Sequence, residues 1–114
     1  MTAAQFRKIA LSLPEVTEQS HMDHPDFRVR GKVFATLGHP DKGRAMVKLT
    51  NAQQDMLVRA CPAAFAPVPG GWGRRGATHV LLKHADQATI QDALRMAWRN
   101  TAPKSLIAQL GDAP

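Results

Sequence analysis

Trp72, Arg74 and Arg75 stand among four glycines in the run PGGWGRRG. Glycine lets the backbone take positive φ and approach a ligand closely. The indole offers a plane for stacking, and the two guanidinium groups are rigid forks of donors for phosphate or carboxylate. The run has no G-K-[ST], so it is not a Walker loop. It also leads into a strand instead of opening a helix, so it is not a dinucleotide fingerprint. A structural role is the competing reading, with Trp72 plugging the core beneath a tight turn and Arg75 merely at the surface. Ordering this many glycines is costly in chain entropy, and loops commonly carry function, which favours a binding role.

Arg28, Arg30, Lys32, Arg44 and Lys48 form a second group of cations. They fall in segments of alternating apolar and polar residues, which read as strands. Val29 set opposite Val33 across a three-residue loop, 30–32, joins Phe27, Val29, Val33, Ala35 and Leu37 on one apolar face. Arg28, Arg44 and Lys48 then project from the opposite face with Phe34, Thr36 and Met46, and Arg30 and Lys32 sit at the hairpin tip. Basic side chains interleaved with an aromatic and a methionine suit phosphates, sugars and bases. An ordinary solvated sheet face has the same composition.

The segment HMDHPD sets His21 and His24 beside Asp23 and Asp26. H-x-x-H is not the i, i+4 spacing that puts two imidazoles on one helix face, so turn chemistry is the better reading and no metal is expected. His39, His79 and His84 are scattered, and the nine acidic residues are dispersed. No Ser/His/Asp grouping or carboxylate pair stands out, so no catalytic residue is assigned. Cys61, the single cysteine, excludes an intrachain disulfide and reads as a small packed residue.

The elements that must position these residues follow from periodicity. A helix is expected over 2–13, capped by Thr2, with Phe6, Ile9, Ala10 and Leu13 as its stripe and Pro14 as its stop. Strands are expected over 16–22, 27–37 (the hairpin), 44–49 and 78–83, with turns at HPD and HPDKG. Thr50 and Gln53 form a capping box before a short helix whose apolar side is Met56, Leu57 and Ala60. A long helix begins after Asp86 and runs to Thr101, with Ile90, Ala93, Leu94, Ala97 and Trp98 inward. Beyond Pro103, a short helix packs through Leu106, Ile107 and Leu110. The expected fold class is α+β: an antiparallel sheet of about five strands packed on N- and C-terminal helices.

The chain of 114 residues suits one domain, 1–114, and its 44% hydrophobic content is enough for one core. No apolar run approaches the ~18–20 residues of a membrane span, and no secretory signal is visible, so a cytoplasmic protein without a membrane partner is expected. The formal charge of +6 permits attraction to polyanions.

Together, HPDFRVRGKVFATL, VKLTNAQQDMLV and PGGWGRRGATHVLL, framed by an opening R-x-x-A-L-S-L-P-x-V and a closing A-W-R-x-x-A-P-K, closely resemble the MmcQ/YjbR family of small bacterial proteins. The resemblance covers nearly the whole chain. It implies a frataxin-like (CyaY-like) fold. It also implies a nucleic-acid-binding role through a double-wing arrangement, with Arg28, Lys32, Trp72, Arg74 and Arg75 at the matching motif positions. Iron handling of the frataxin kind does not carry over, because the first helix bears Arg7 and Lys8 and no acid precedes Glu15. The leading expectation is therefore a monomeric, non-enzymatic domain without cofactors that binds DNA or RNA through Arg28, Arg30, Lys32, Arg44, Lys48, Trp72, Arg74 and Arg75. Two alternatives stay open. One is a pocket for an anionic small molecule around Trp72, Arg74 and His79. The other is a protein-interaction surface of outward Phe34, Met46 and Leu81.

Overall fold

The computed structural model describes residues 1–21, 23–38 and 41–109. Met22, His39, Pro40 and Leu110, each given a place above, lie outside them. Two helices begin with the same device. The Thr2 hydroxyl accepts the Gln5 amide at 3.1 Å, and the Gln5 side chain accepts the Thr2 amide at 2.8 Å. Thr50 and Gln53 repeat this exchange at 3.2 and 2.9 Å. Each box satisfies amides that have no partner within the helix. α1 (Ala3–Ser12) buries Phe6 and Ala10, with Ile9 and Leu13 partly buried. α2 (Asn51–Ala60) buries Leu57. Its apolar side is narrower than the sequence suggests, because Met56 is 52% exposed and Ala60 is exposed as well. At 3.6 residues per turn, the face centred on Leu57 takes in Gln54 and Cys61 and turns Met56 toward solvent.

Six strands form one antiparallel sheet, β1 (Val16–His21), β2 (His24–Val29), β3 (Lys32–Leu37), β4 (Arg44–Lys48), β5 (Phe65–Pro67) and β6 (Ala77–Leu81), in the order β1-β2-β3-β4-β6-β5. The expected count of about five is thus one short. The extra strand is β5, three residues at the sheet edge, where a proline is tolerated. HPD is not a turn. It opens β2, and Asp23, at φ 67°, takes part in the reversal before it. The last strand stops at Leu81 and passes into a 3₁₀ turn, Leu82–His84.

The hairpin also differs from its expected register. Val29 faces Lys32 across a two-residue loop, and Arg30 and Gly31 both take positive φ, 51° and 82°. Those are the signs a type I′ turn demands. A bulge then intervenes: Arg28 faces Val33, but Phe27 faces Ala35. The extra residue is Phe34, which enters the core beside Ala35, while Val33 is left half-buried. The bulge restores the inward set Phe27, Val29, Ala35 and Leu37 that the tight turn alone would break.

α3 (Gly71–Arg74) is a single turn, α4 (Gln87–Thr101) is the long helix and α5 (Lys104–Gln109) follows it. α4 lies against β3 and β4, and α1 lies against β1 and α4. Ile90, Ala93, Leu94, Ala97 and Trp98 meet Phe6, Phe27, Val47, Phe65 and Val80 in the core. The opposite sheet face carries a row that crosses all six strands: Gln19, Asp26, Thr36, Met46, His79 and Ala66. Arg28, Arg44 and Lys48 share that face by register and are half-buried. Among the described residues, no helix is long and apolar enough to cross a membrane.

Candidate functional site

The glycine run folds as a turn held on several sides. Gly73 is buried, and a Cβ there would fall inside the Val68 carbonyl. Gly76 has φ +108°, and its Cβ would fall inside the Leu49 carbonyl. Both positions therefore require glycine, one for space and the other for space and conformation. Leu49 N donates to Gly76 O at 3.2 Å, and Val68 N donates to Ala77 O at 3.0 Å. From α2, Gln54 Nε2 donates to Gly73 O (3.0 Å), Ala77 O (3.0 Å) and Thr78 Oγ1 (3.2 Å). Thr78 Oγ1 donates in turn to Gly76 O at 2.8 Å. An amide has two N–H groups, so one hydrogen is shared between acceptors.

On this braced turn Trp72 is 64% exposed. It does not plug the core; that place belongs to Trp98, fully buried, whose indole N–H donates to Pro14 O at 3.0 Å. Lys48 Nζ lies 5.8 Å from the centroid of the Trp72 ring, within cation–π range. Lys48 and Ala77 are cross-strand partners, so the β4–β6 register delivers this ammonium to the indole. Lys48, Trp72, Arg75 and Ala77 line a shallow cleft of about 200 Å³. Arg74 is exposed on the same turn, outside the cleft lining.

The remaining candidate cations are deployed differently. Arg28 grips Asp26 with two bonds, 2.9 and 3.1 Å, and Asp26 is only 3% exposed. This bond raises the Arg28 pKa above its ordinary value. Arg30 grips Glu15 at 2.6 and 3.0 Å, which holds the Glu15 carboxyl below its ordinary pKa. Arg44 pairs with Asp41 at 3.3 Å. Lys32 is exposed at the hairpin tip. His79 lies on the same sheet face as Lys48, between Met46 and Ala66, and is 9% exposed; it does not line the Trp72 cleft. Phe34 is in the core, so the apolar patch of Phe34, Met46 and Leu81 does not form. Among the described residues, no carboxylate stands in ion-pair contact with Lys32, Lys48, Arg74 or Arg75. Within them, no three of His, Cys, Asp and Glu gather as metal ligands do.

The structure thus unites Lys48, Trp72 and Arg75, with Arg74 beside them, and leaves Arg28, Arg30 and Arg44 engaged with acids. Gln54 went unnoticed in the sequence. Its signal was there, since the capping box sets the start of α2 and so places Gln54 on the same side as Leu57 three residues on.

The fold and this corner define a small, basic α+β protein that displays one tryptophan from a glycine-built turn. The chain belongs to the YjbR family, whose model matches residues 11–100. The crystal structure of Deinococcus radiodurans protein DR2400, with a DUF419 domain, is similar across 96% of this chain and 88% of that one. Its TM-score is 0.74 at 18% identity, a likeness of fold. No curated protein matches the chain.

Proposed function

We propose that this protein is a non-enzymatic nucleic-acid-binding domain whose contact surface centres on Trp72. One observation carries the reading. An indole stays 64% exposed on a turn built too tightly to be loose, with Lys48 at 5.8 Å and Arg75 in the same cleft. Exposing a large aromatic forgoes its burial, and two cations beside it with no carboxylate partner among the described residues suit an anionic partner with flat rings. Lys48, Arg74 and Arg75 would hold phosphates, and a base or sugar would cover the indole. Arg28, Arg30 and Arg44 contribute less, because each would have to leave a carboxylate.

A small anionic metabolite suits the corner less well. The cleft of about 200 Å³ falls below the ~300–1,000 Å³ of pockets that enclose such ligands. A frataxin-like class for the fold, a monomeric state and a cytoplasmic location accompany the proposal. The first of these is supported by the order of helix, antiparallel meander and helix.

The test is fluorescence anisotropy with labelled single- and double-stranded oligonucleotides, beginning at low salt. Binding is expected, weakening log-linearly between about 50 and 200 mM salt, and Lys48→Ala is expected to weaken it further. The reading is overturned if no nucleic acid of any form binds at low salt.

A further inference from the structure

We infer that the Trp72 corner takes an unpaired base, so that its partner is single-stranded and not duplex nucleic acid. This rests on the function proposed above and narrows it. Three features point the same way.

The first is what an exposed indole can contact. Inside a duplex the base faces are stacked on one another, and the protein meets only base edges and phosphates. A single strand offers a π-face at every base, and stacking on an aromatic side chain changes affinity by about ten-fold or more. Trp72 is presented for such a contact. Gly73 and Gly76 seat the turn against the Val68 and Leu49 backbone, and Gln54 pins it from α2, so little ordering is required on binding.

The second is size. The cleft of about 200 Å³ between Lys48, Trp72, Arg75 and Ala77 is open to solvent and matches the scale of a single planar ring system better than that of a base pair. Lys48 Nζ stands over the indole, 5.8 Å from the ring centroid, and Arg75 lines the same cleft, so a base that stacks on the free part of the ring, or displaces the ammonium from it, has two cations at hand for its phosphates.

The third is the reach of positive charge. A duplex is gripped through many phosphates along a continuous basic track. Here Arg28, Arg30 and Arg44 are held by Asp26, Glu15 and Asp41, which interrupts such a track across the sheet. What remains at this corner is Lys48, Arg74 and Arg75. Three phosphate contacts at about −0.7 each give a log–log salt slope near −2 for a single strand.

The experiment compares four probes: oligothymidylate of about 20 nucleotides, a duplex of equal length, heparin and polyglutamate. Each is titrated against the wild type, Trp72→Ala and Trp72→Phe, with the fold of each variant checked by circular dichroism. Oligothymidylate is expected to bind at least ten-fold more tightly than duplex and to quench tryptophan fluorescence, with the buried Trp98 as the unchanged background. Trp72→Ala should weaken oligothymidylate about ten-fold or more while leaving heparin within two-fold, and Trp72→Phe should restore much of the loss. Duplex binding as tight as or tighter than oligothymidylate, insensitive to Trp72, overturns this inference and leaves nucleic-acid binding standing. Equal losses for heparin and oligothymidylate overturn it as well, because the indole would then be supporting the cations and not stacking. Trp72-dependent binding of polyglutamate as tight as that of oligothymidylate assigns the corner to an acidic protein partner. No binding to any nucleic acid removes both this inference and the reading it rests on.

Discussion

Two constraints meet at Gly76 that are separate at the other described glycines. Its φ is +108°, and a side chain there would run into the Leu49 carbonyl. Gly31 has φ +82°, and a methyl group in place of its hydrogen would meet nothing within 4 Å. Gly31→Ala should therefore cost only the left-handed conformation, about 1–2 kcal/mol. Gly76→Ala should add overpacking against backbone, roughly 1–3 kcal/mol more. Thermal unfolding separates the two: at about 4–8 °C per kcal/mol, Gly76→Ala should melt several degrees below Gly31→Ala. Equal losses would mean that the close approach to Leu49 constrains nothing. A different expectation attaches to Glu15. Arg30 holds its carboxyl below the ordinary pKa through a side-chain bond and charge. A depressed carboxylate contributes stability above its unfolded pKa, and the contribution disappears as pH falls through the folded value. Both side chains are nearly half exposed, so the effect is small. The urea midpoint of Glu15→Gln should lie below wild type at neutral pH and meet it in acid. A gap that persists in acid would show that the loss is not ionic.

Among the elements, the hairpin gives the sharpest test, because two registers predict opposite outcomes. With a three-residue loop, Val33 faces the core and Phe34 faces water. With the observed type I′ turn and bulge, Phe34 is fully buried and Val33 is half-buried. Phe34→Ala should therefore cost about 3–5 kcal/mol, while Val33→Ala should cost under about 1.5 kcal/mol. Chemical denaturation of the two variants reads this directly, and the reverse order would restore the three-residue loop. The two capping boxes and the inward stripes of α1 and α4 were legible because local side chains determine them. The bulge was not, because it depends on Arg30 accepting φ 51°, which few residues other than glycine and asparagine adopt. β5 was missed because Phe-Ala-Pro between two prolines reads as loop until β6 is there to pair with it. Reading HPD as a turn also hid the Arg28–Asp26 pair, since residues two apart share a face only once the segment is a strand. At the site, the sequence marked Lys48, Trp72, Arg74 and Arg75. That Lys48 meets the indole depends on the β4–β6 register, which no local pattern encodes.

Across the whole molecule the question is whether the excess of positive charge or its placement governs binding. The formal charge is +6, and five of the 15 cations stand in arginine–carboxylate pairs among the described residues, so the excess positive charge resides on the other cations. The chain measures 34 × 30 × 27 Å. The Debye length near physiological salt is about 8 Å, so a charge across the molecule from Trp72 lies several screening lengths away. Lys8 on α1 and Arg95 on α4 are exposed charges on helices that pack against the sheet face opposite the one that carries the Lys48 side chain. Lys48→Glu with Arg75→Glu, and Lys8→Glu with Arg95→Glu, change the net charge equally. If net charge governs, both pairs weaken oligonucleotide binding alike at every salt concentration. If placement governs, the first pair abolishes most of the affinity, because it removes two phosphate contacts and sets carboxylates beside the incoming backbone. The second pair then costs little at about 150 mM salt and somewhat more as the salt is diluted and the Debye length grows. The expected outcome is the second, with the two double variants diverging most at physiological salt. Convergence of the two there would return the activity to bulk electrostatics and remove the reason to single out the tryptophan corner.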